Sequence, residues 1–192
     1  SDPASVTDEA IDIQADGGTH VASTAMIGRI AVTKMESKGR GFRRLRIRIE
    51  DADVLADLYR AERDFLTPFE PERDASFFTR DGQVRLLERT IALRAAGFAE
   101  RFAILRDDHV VGVLAVNNIV RGVSQSATIG YFVAQAHNGR GIATRAVAEA
   151  CRWAFDEMGL HRLEAGTLVD NIPSQRVLDR NRLTRLGLAP RY

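Results

Sequence analysis

The chain is poor in the features that mark several large classes of protein. It has one cysteine, Cys151, among 192 residues, so no intrachain disulfide can form and no cysteine pair with zinc-site spacing exists. Its four histidines, His20, His109, His137 and His161, are scattered and show no paired spacing, so no metal is expected. No apolar run approaches the ~20 residues of a membrane span. The N-terminus lacks the basic-then-apolar layout of a signal peptide. Charge of one sign is missing too: 27 Lys and Arg face 26 Asp and Glu, a formal net charge of +1. That balance argues against a direct nucleic-acid or membrane partner. Together these absences predict a reducing, cytoplasmic setting.

What remains is a chain of one-domain length, 45% hydrophobic and 28% charged. It divides near residue 40. Residues 1–20 are small, polar and acidic, a composition that cannot offset its own ordering entropy. The opening Ser-Asp-Pro without Met suggests a tag or processing, with Met26 and Met35 as candidate starts. Residues 1–40 are therefore expected to be a flexible or tag-derived extension, with an imperfect strand pattern around Ile27 to Val32. Residues 41–192 are expected to be the folded domain.

Within that domain, Leu45, Ile47 and Ile49 alternate with Arg44, Arg46 and Arg48, the period of a half-buried strand. Asp51 opens a helix with the apolar stripe Val54, Leu55, Leu58 and Tyr59. Residues 64–81 are irregular and rich in Pro and Phe. A second helix is predicted over 83–96, stopped by Gly97. Two β-rich runs, 101–106 and 110–120, flank the turn Asp107-Asp108-His109, and a strand over 126–133 follows. The loop Asn138-Gly139-Arg140-Gly141 leads into a helix with Ala143, Val147, Ala150, Cys151, Ala154 and Met158 facing inward, ended by Gly159. A strand over 161–169, a helix capped by Asp170 or Asn171 with Pro173 in its first turn, and a short strand over 183–188 complete the pattern. The expected fold is a mixed α/β (α+β) domain whose central sheet is mostly antiparallel and flanked by helices.

The strand, glycine loop and helix carry the chemistry. Glycines let a ligand approach the backbone, and the free amides of a helix start favour an anion such as a pyrophosphate. The loop is neither a P-loop, since no Lys follows it, nor a Rossmann fingerprint, since Thr144 stands where the third Gly belongs.

The order of elements, Asn138-x-x-Gly141-x-Ala143 and Asn171-x-x-Ser174 resemble the GCN5-related N-acetyltransferase (GNAT) superfamily, and within it the RimJ/RimL type that acetylates N-terminal alanine or serine of ribosomal proteins. The stretches Arg63–Leu66 with Phe69-Glu70-Pro71, Asn118–Gly122, Gly130–Val133, Ala136–Thr144, His161–Ala165 and Asn171–Leu178 carry the likeness over residues 43–192. The resemblance implies two splayed central strands, 126–133 and 161–169, that admit acetyl-CoA as cosubstrate. It implies pantetheine contacts from Phe132, Val133, Ala134 and Asn171. Asn138, Gly139, Arg140, Gly141, Ala143 and Thr144 would hold the pyrophosphate, and Ser174 would lie by the thioester sulfur. Glu164 is the candidate base. Phe69, Glu70 and Tyr131 are the candidate acceptor contacts. Direct attack needs no covalent enzyme intermediate, and Cys151 is not expected to be a nucleophile.

The pattern departs from the family at three places. Many relatives carry a Tyr where this chain has Leu178. RimJ/RimL proteins usually read Asn-Gly-Phe at Asn181-Arg182-Leu183. The family's final strand is expected to be missing; a truncated chain, a strand donated in a homodimer, or residues 20–33 filling the gap are the three explanations. Acetylation of a protein N-terminus is the expected activity. A small-amine acetyltransferase and a catalytically silent acyl-CoA-binding module are the alternatives.

Overall fold

The computed structural model describes residues 44–189. The expected extension, its strand near Ile27 to Val32 and the division at residue 40 lie outside the described residues. The elements are β1 (Arg44–Arg46), a 3-10 turn (Ile49–Asp51), α1 (Ala52–Ala61), α2 (Arg63–Leu66), a 3-10 turn (Ala75–Phe78) and α3 (Arg80–Ala95). Then come β2 (Glu100–Arg106), β3 (His109–Val120), β4 (Ser126–Val133), a 3-10 turn (Gln135–His137) and α4 (Ile142–Arg152). A π-turn (Trp153–Glu157), β5 (Arg162–Glu164) and α5 (Ile172–Arg180) follow.

The five strands pair in chain order. The first three pairings are antiparallel and β4–β5 is parallel. The sheet is thus mixed and mostly antiparallel, as the pattern predicts. Asp107 and Asp108 turn the β2–β3 hairpin with φ of 49° and 60°. Two consecutive positive φ values match the twist of the strands they join.

β3 explains the layering. Val113 faces one side with Ile47, Leu55, Tyr59, Leu87 and Phe132. Leu114 and Val116 face the other, with Val147, Ala150, Trp153 and Ala154. The strand is buried on both faces, so it reads as a continuous apolar run. α1 and α3 cover one face, and α4 covers the other. The inward stripe read from the sequence holds: Val147, Ala150 and Ala154 are buried, and Ala143, Cys151 and Met158 pack partly buried against them. Burying each larger side chain stabilises by roughly 1.5–3 kcal/mol.

Two expected strands are corrected. β5 spans Arg162–Glu164 rather than 161–169, and it pairs with β4 only at Ser126↔Arg162, Ala127↔Leu163 and Thr128↔Glu164. β4 runs on to Val133, so the two strands part and leave a wedge. Residues 165–169 have strand composition but no ladder partner. Residues 183–188 form no strand either: Leu186 and Leu188 stand 79% and 77% exposed. Alternation cannot make a strand where no neighbour supplies hydrogen bonds. Among the described residues, the outer edge of β5 is unpaired.

Candidate active site

The glycine loop sits where β4 ends and α4 begins. Gly139 and Gly141 both have φ of 73°, and Gly141 is the residue before the first turn of α4. A Cβ on either would meet nothing within 4 Å, so the space over the loop is open. Among the described residues, the amides of residues 139–144 donate to no backbone carbonyl; Arg145 is the first, to Gly141 O at 3.1 Å. Six consecutive amides without a backbone acceptor at a helix start, with open space over Gly139 and Gly141, form a cradle for an anion.

Asn181 braces that cradle, and the sequence reading did not single it out. Its Nδ2 donates to Thr144 O at 3.1 Å and to Val177 O at 2.8 Å, tying α5 to the first turn of α4. The motif Asn181-Arg182-Leu183 was the signal that could have found it.

Backbone polarity along β4 sorts the three expected pantetheine contacts. The amide of Ala134 is taken by Val111 O at 2.8 Å. Strand alternation then turns the N–H and C=O of Val133, paired with Gly112, away from β3 and toward the wedge. Phe132 has the opposite polarity, with its carbonyl facing Gly112. Val133 is therefore the residue of the three that offers both groups to the opening.

On the α5 side of the wedge, Asn171 Oδ1 accepts the amide of Ser174 at 3.1 Å and caps the helix. Ser174 Oγ lies 3.0 Å from the Tyr131 hydroxyl, which also donates to Ser174 O at 3.3 Å. Burial raises the Tyr131 pKa, opposed by the Ser174 hydrogen bond, so its proton stays in place at neutral pH. Leu178, where many relatives have Tyr, is 8% exposed and packs in the core. Glu164 ends β5 and forms an ion pair with Arg162 at 2.5 Å. Burial also raises the pKa of the Cys151 thiol, which favours the thiol over the thiolate.

The acceptor residues read from the sequence do not gather at one place. Glu70 lines a pocket of about 390 Å³ with Tyr59, Arg63, Arg73, Phe77 and Phe78. Phe69 is outside that lining, 40% exposed and edge-on to Phe65. Tyr131 is at the wedge with Ser174, because neighbouring strand residues face opposite sides and it is Phe132 that turns toward the pocket, its ring 5.0 Å from Tyr59. Desolvation raises the Glu70 pKa against the pull of Arg73 and Arg101.

The irregular sequence around the pocket is fixed by specific bonds. Asp74 Oδ1 accepts Phe77 N at 3.1 Å and Ser76 Oγ at 2.5 Å. The buried Gln83 donates to Phe77 O at 2.7 Å, and Thr79 caps α3 through Gly82 N at 3.1 Å. Glu62 accepts the amide of Gln135 at 2.8 Å, joining the pocket side to the turn before the glycine loop. Among the described residues, no group of three or more His, Cys, Asp or Glu could hold a metal, and no helix is long and apolar enough to cross a membrane.

Comparison with known proteins adds to this geometry. Residues 41–184 match the acetyltransferase (GNAT) domain family. Residues 5–46 match a second family, the threonyl and alanyl tRNA synthetase second additional domain. The chain is 34% identical over 145 residues to a probable N-acetyltransferase, YjcK, of Bacillus subtilis, covering 74% of this chain and 80% of that protein. It is 31% identical over 144 residues to the ribosomal protein uS5-alanine N-acetyltransferase of Escherichia coli, covering 74% of each. Among solved structures, Mycobacterium smegmatis RimJ in complex with CoA-disulfide superposes with a TM-score of 0.69 at 30% identity, covering 72% of this chain and 71% of that one.

Proposed function

The chain belongs to the acetyltransferase (GNAT) family, and from that premise we propose that it transfers the acetyl group of acetyl-CoA to the N-terminal α-amine of a protein, of the ribosomal-protein type. The likeness to the uS5-alanine enzyme supports the acceptor class. The observation that carries the acetyl-CoA site is the row of free amides over residues 139–144 beside the β4–β5 wedge.

The amides of Gly139, Arg140, Gly141, Ala143 and Thr144 hold the pyrophosphate, with Asn138 at the loop's entry. The Val133 C=O accepts from the pantetheine arm as in an added strand, between Phe132 and Ala134, and its N–H is left for the thioester oxygen. Asn171 reaches the pantetheine from α5. The neutral amine attacks the thioester carbonyl carbon. A C–N bond forms, the C–S bond breaks, and the amine proton leaves to Glu164 through water. A backbone amide at the wedge, that of Val133, stabilises the oxyanion. The Tyr131–Ser174 hydroxyl pair delivers a proton to the departing thiolate, doing the work of the Tyr that Leu178 replaces. Glu70 attracts the protonated amine before it reacts, with Phe69 on the approach. The reaction takes place in the cytoplasm. The acetyltransferase domain comprises residues 41–192, and residues 1–40 are a separate extension.

Calorimetric titration of acetyl-CoA tests the site. Micromolar binding is expected in the full chain, and Gly141→Asp should abolish it by placing a carboxylate in the anion cradle. Unchanged affinity in that variant would remove the loop from the site. Acetylation of an Ala-initiated peptide but not of a polyamine is expected; the reverse result would make the enzyme a small-amine acetyltransferase.

A further inference from the structure

The pocket between α1 and the segment leading into α3 carries charges of both signs at fixed places. Arg63 lays its guanidinium over Phe78, 4.6 Å from the ring centroid. Arg73 lies over Phe77 at 4.8 Å. A guanidinium stacked on a ring is held in its plane while its N–H edge stays free to meet a carboxylate in two-pronged fashion. Among the described residues, Arg63 has no carboxylate partner, and Arg73 reaches Glu70 only at 3.8 Å. The two rings are themselves fixed, Phe77 against Tyr59 at 4.8 Å and Phe78 against Phe77 at 5.3 Å. The pocket therefore presents prearranged cation edges beside one half-buried carboxylate.

The balance of charge decides what fits. Glu70 and Glu72 offset Arg63 and Arg73 in the lining, so the pocket is dipolar rather than an anion trap. A dianion such as phosphate would meet Glu70 at short range, where like charges repel strongly. A ligand with an ammonium for Glu70 and a single carboxylate for Arg63 matches both ends. The pocket also shares the Tyr59–Phe132 contact with β4, the strand whose end lines the wedge.

We propose that Arg63 and Arg73 select acceptors that carry a carboxylate close to the reacting amine, namely protein N-termini with Asp or Glu at the second or third residue. This rests on the reading of the chain as an N-terminal acetyltransferase.

Steady-state acetylation by the full chain, followed by CoA release, tests it with three peptides of equal length. They begin with Ala and differ only at the second residue: Glu, Gln or Lys. The Glu peptide is expected to exceed the Gln peptide about tenfold in kcat/KM, mainly through KM, and the Lys peptide to be poorest. Added salt should shrink the preference. In Arg63→Gln the Glu-to-Gln ratio should fall to about twofold or less, and Arg73→Gln should lower it as well. Arg63 is exposed at the pocket, so its replacement leaves the core intact. Equal kcat/KM for Glu and Gln peptides in the unaltered chain overturns the proposal and leaves acetyl transfer standing. A preference that survives both substitutions also overturns it. Failure to acetylate any of the three by a chain that binds acetyl-CoA overturns it together with the N-terminal reading.

Discussion

Asp51 is a carboxylate in an apolar place. It is 4% exposed, one oxygen accepts the Arg48 amide at 2.7 Å, and the other is buried with no partner among the described residues. Desolvation is the main cause that lifts its pKa from 3.8 to about 6, only partly opposed by the Arg48 bond. The raised value means that folding favours the proton. The contribution of this one group to stability is fully present below about pH 4 and is lost as pH rises through about 6. Asp51→Asn keeps an acceptor for Arg48 and removes the buried charge. It should stabilise the protein by about 1–3 kcal/mol at pH 7 and make little difference at pH 4. Urea unfolding across that range checks this, and a pH-independent difference would count against it. At the wedge, the Tyr131–Ser174 pair makes a kinetic prediction. Ser174→Ala and Tyr131→Phe should each lower turnover about 10–100-fold with little change in acetyl-CoA affinity. Full turnover in Ser174→Ala would leave Ser174 as part of a helix start and nothing more.

Elements end for visible reasons, and one ending is strained. α3 closes with Gly97 at φ 78°, with Gly97 N donating to Arg94 O and Phe98 N to Leu93 O. α5 closes in the same pattern, with Arg182 N on Asp179 O and Leu183 N on Leu178 O, but the left-handed residue is Arg182 at φ 62°. Gly97 was legible as a stop because glycine bears that φ without cost. Arg182 was legible as a departure from the family's Gly. Arg182→Gly should stabilise by about 0.5–1 kcal/mol, the relief of left-handed strain less the entropy glycine gives the unfolded chain. Denaturant titration measures it, and a loss of stability would show that the side chain makes up for the strain. Gly82 is the converse. A Cβ there would stand 1.8 Å from Ser76 O, a backbone atom that cannot swing aside. Gly82→Ala should cost about 1–3 kcal/mol and loosen the pocket wall, seen as a lower midpoint of thermal unfolding. This glycine has no signature in the sequence, because what it avoids lies across a turn.

At the scale of the whole molecule, the described residues form one five-stranded sheet with a helical layer on each face. Ligand should act on it as a unit. Acetyl-CoA at 100 times its dissociation constant should add about 2.7 kcal/mol to folding. For a domain of this size that raises the thermal midpoint by roughly 5–10 °C. A scan with and without acetyl-CoA reads it directly, and no shift would mean that the wedge does not bind. The buried Glu100 is the other global feature. It sits 3% exposed between Arg94 at 2.6 Å and Arg46 at 2.8 Å, and so pins α3, β2 and β1 together. No pattern in the sequence marked it, since the three residues are joined only when β1 pairs with β2.

The sequence by itself determined the alternation of strands and helices, the inward stripe of α4, the hairpin at Asp107-Asp108, the glycine loop and the Asn171 cap of α5. Each of these is local: a period, a φ preference or a cap acts within a few residues. Tertiary structure decided which β-rich segments became strands, since residues 165–169 and 183–188 found no ladder partner. It decided that Val133 rather than Ala134 turns its amide to the wedge, because pairing with β3 consumes alternate groups. It separated Tyr131 from Glu70 by placing them on opposite faces, joined Tyr131 to Ser174 across 43 residues of chain, and stacked Arg63 and Arg73 on rings of the same pocket. Those are contacts between distant segments, and packing alone brings them together.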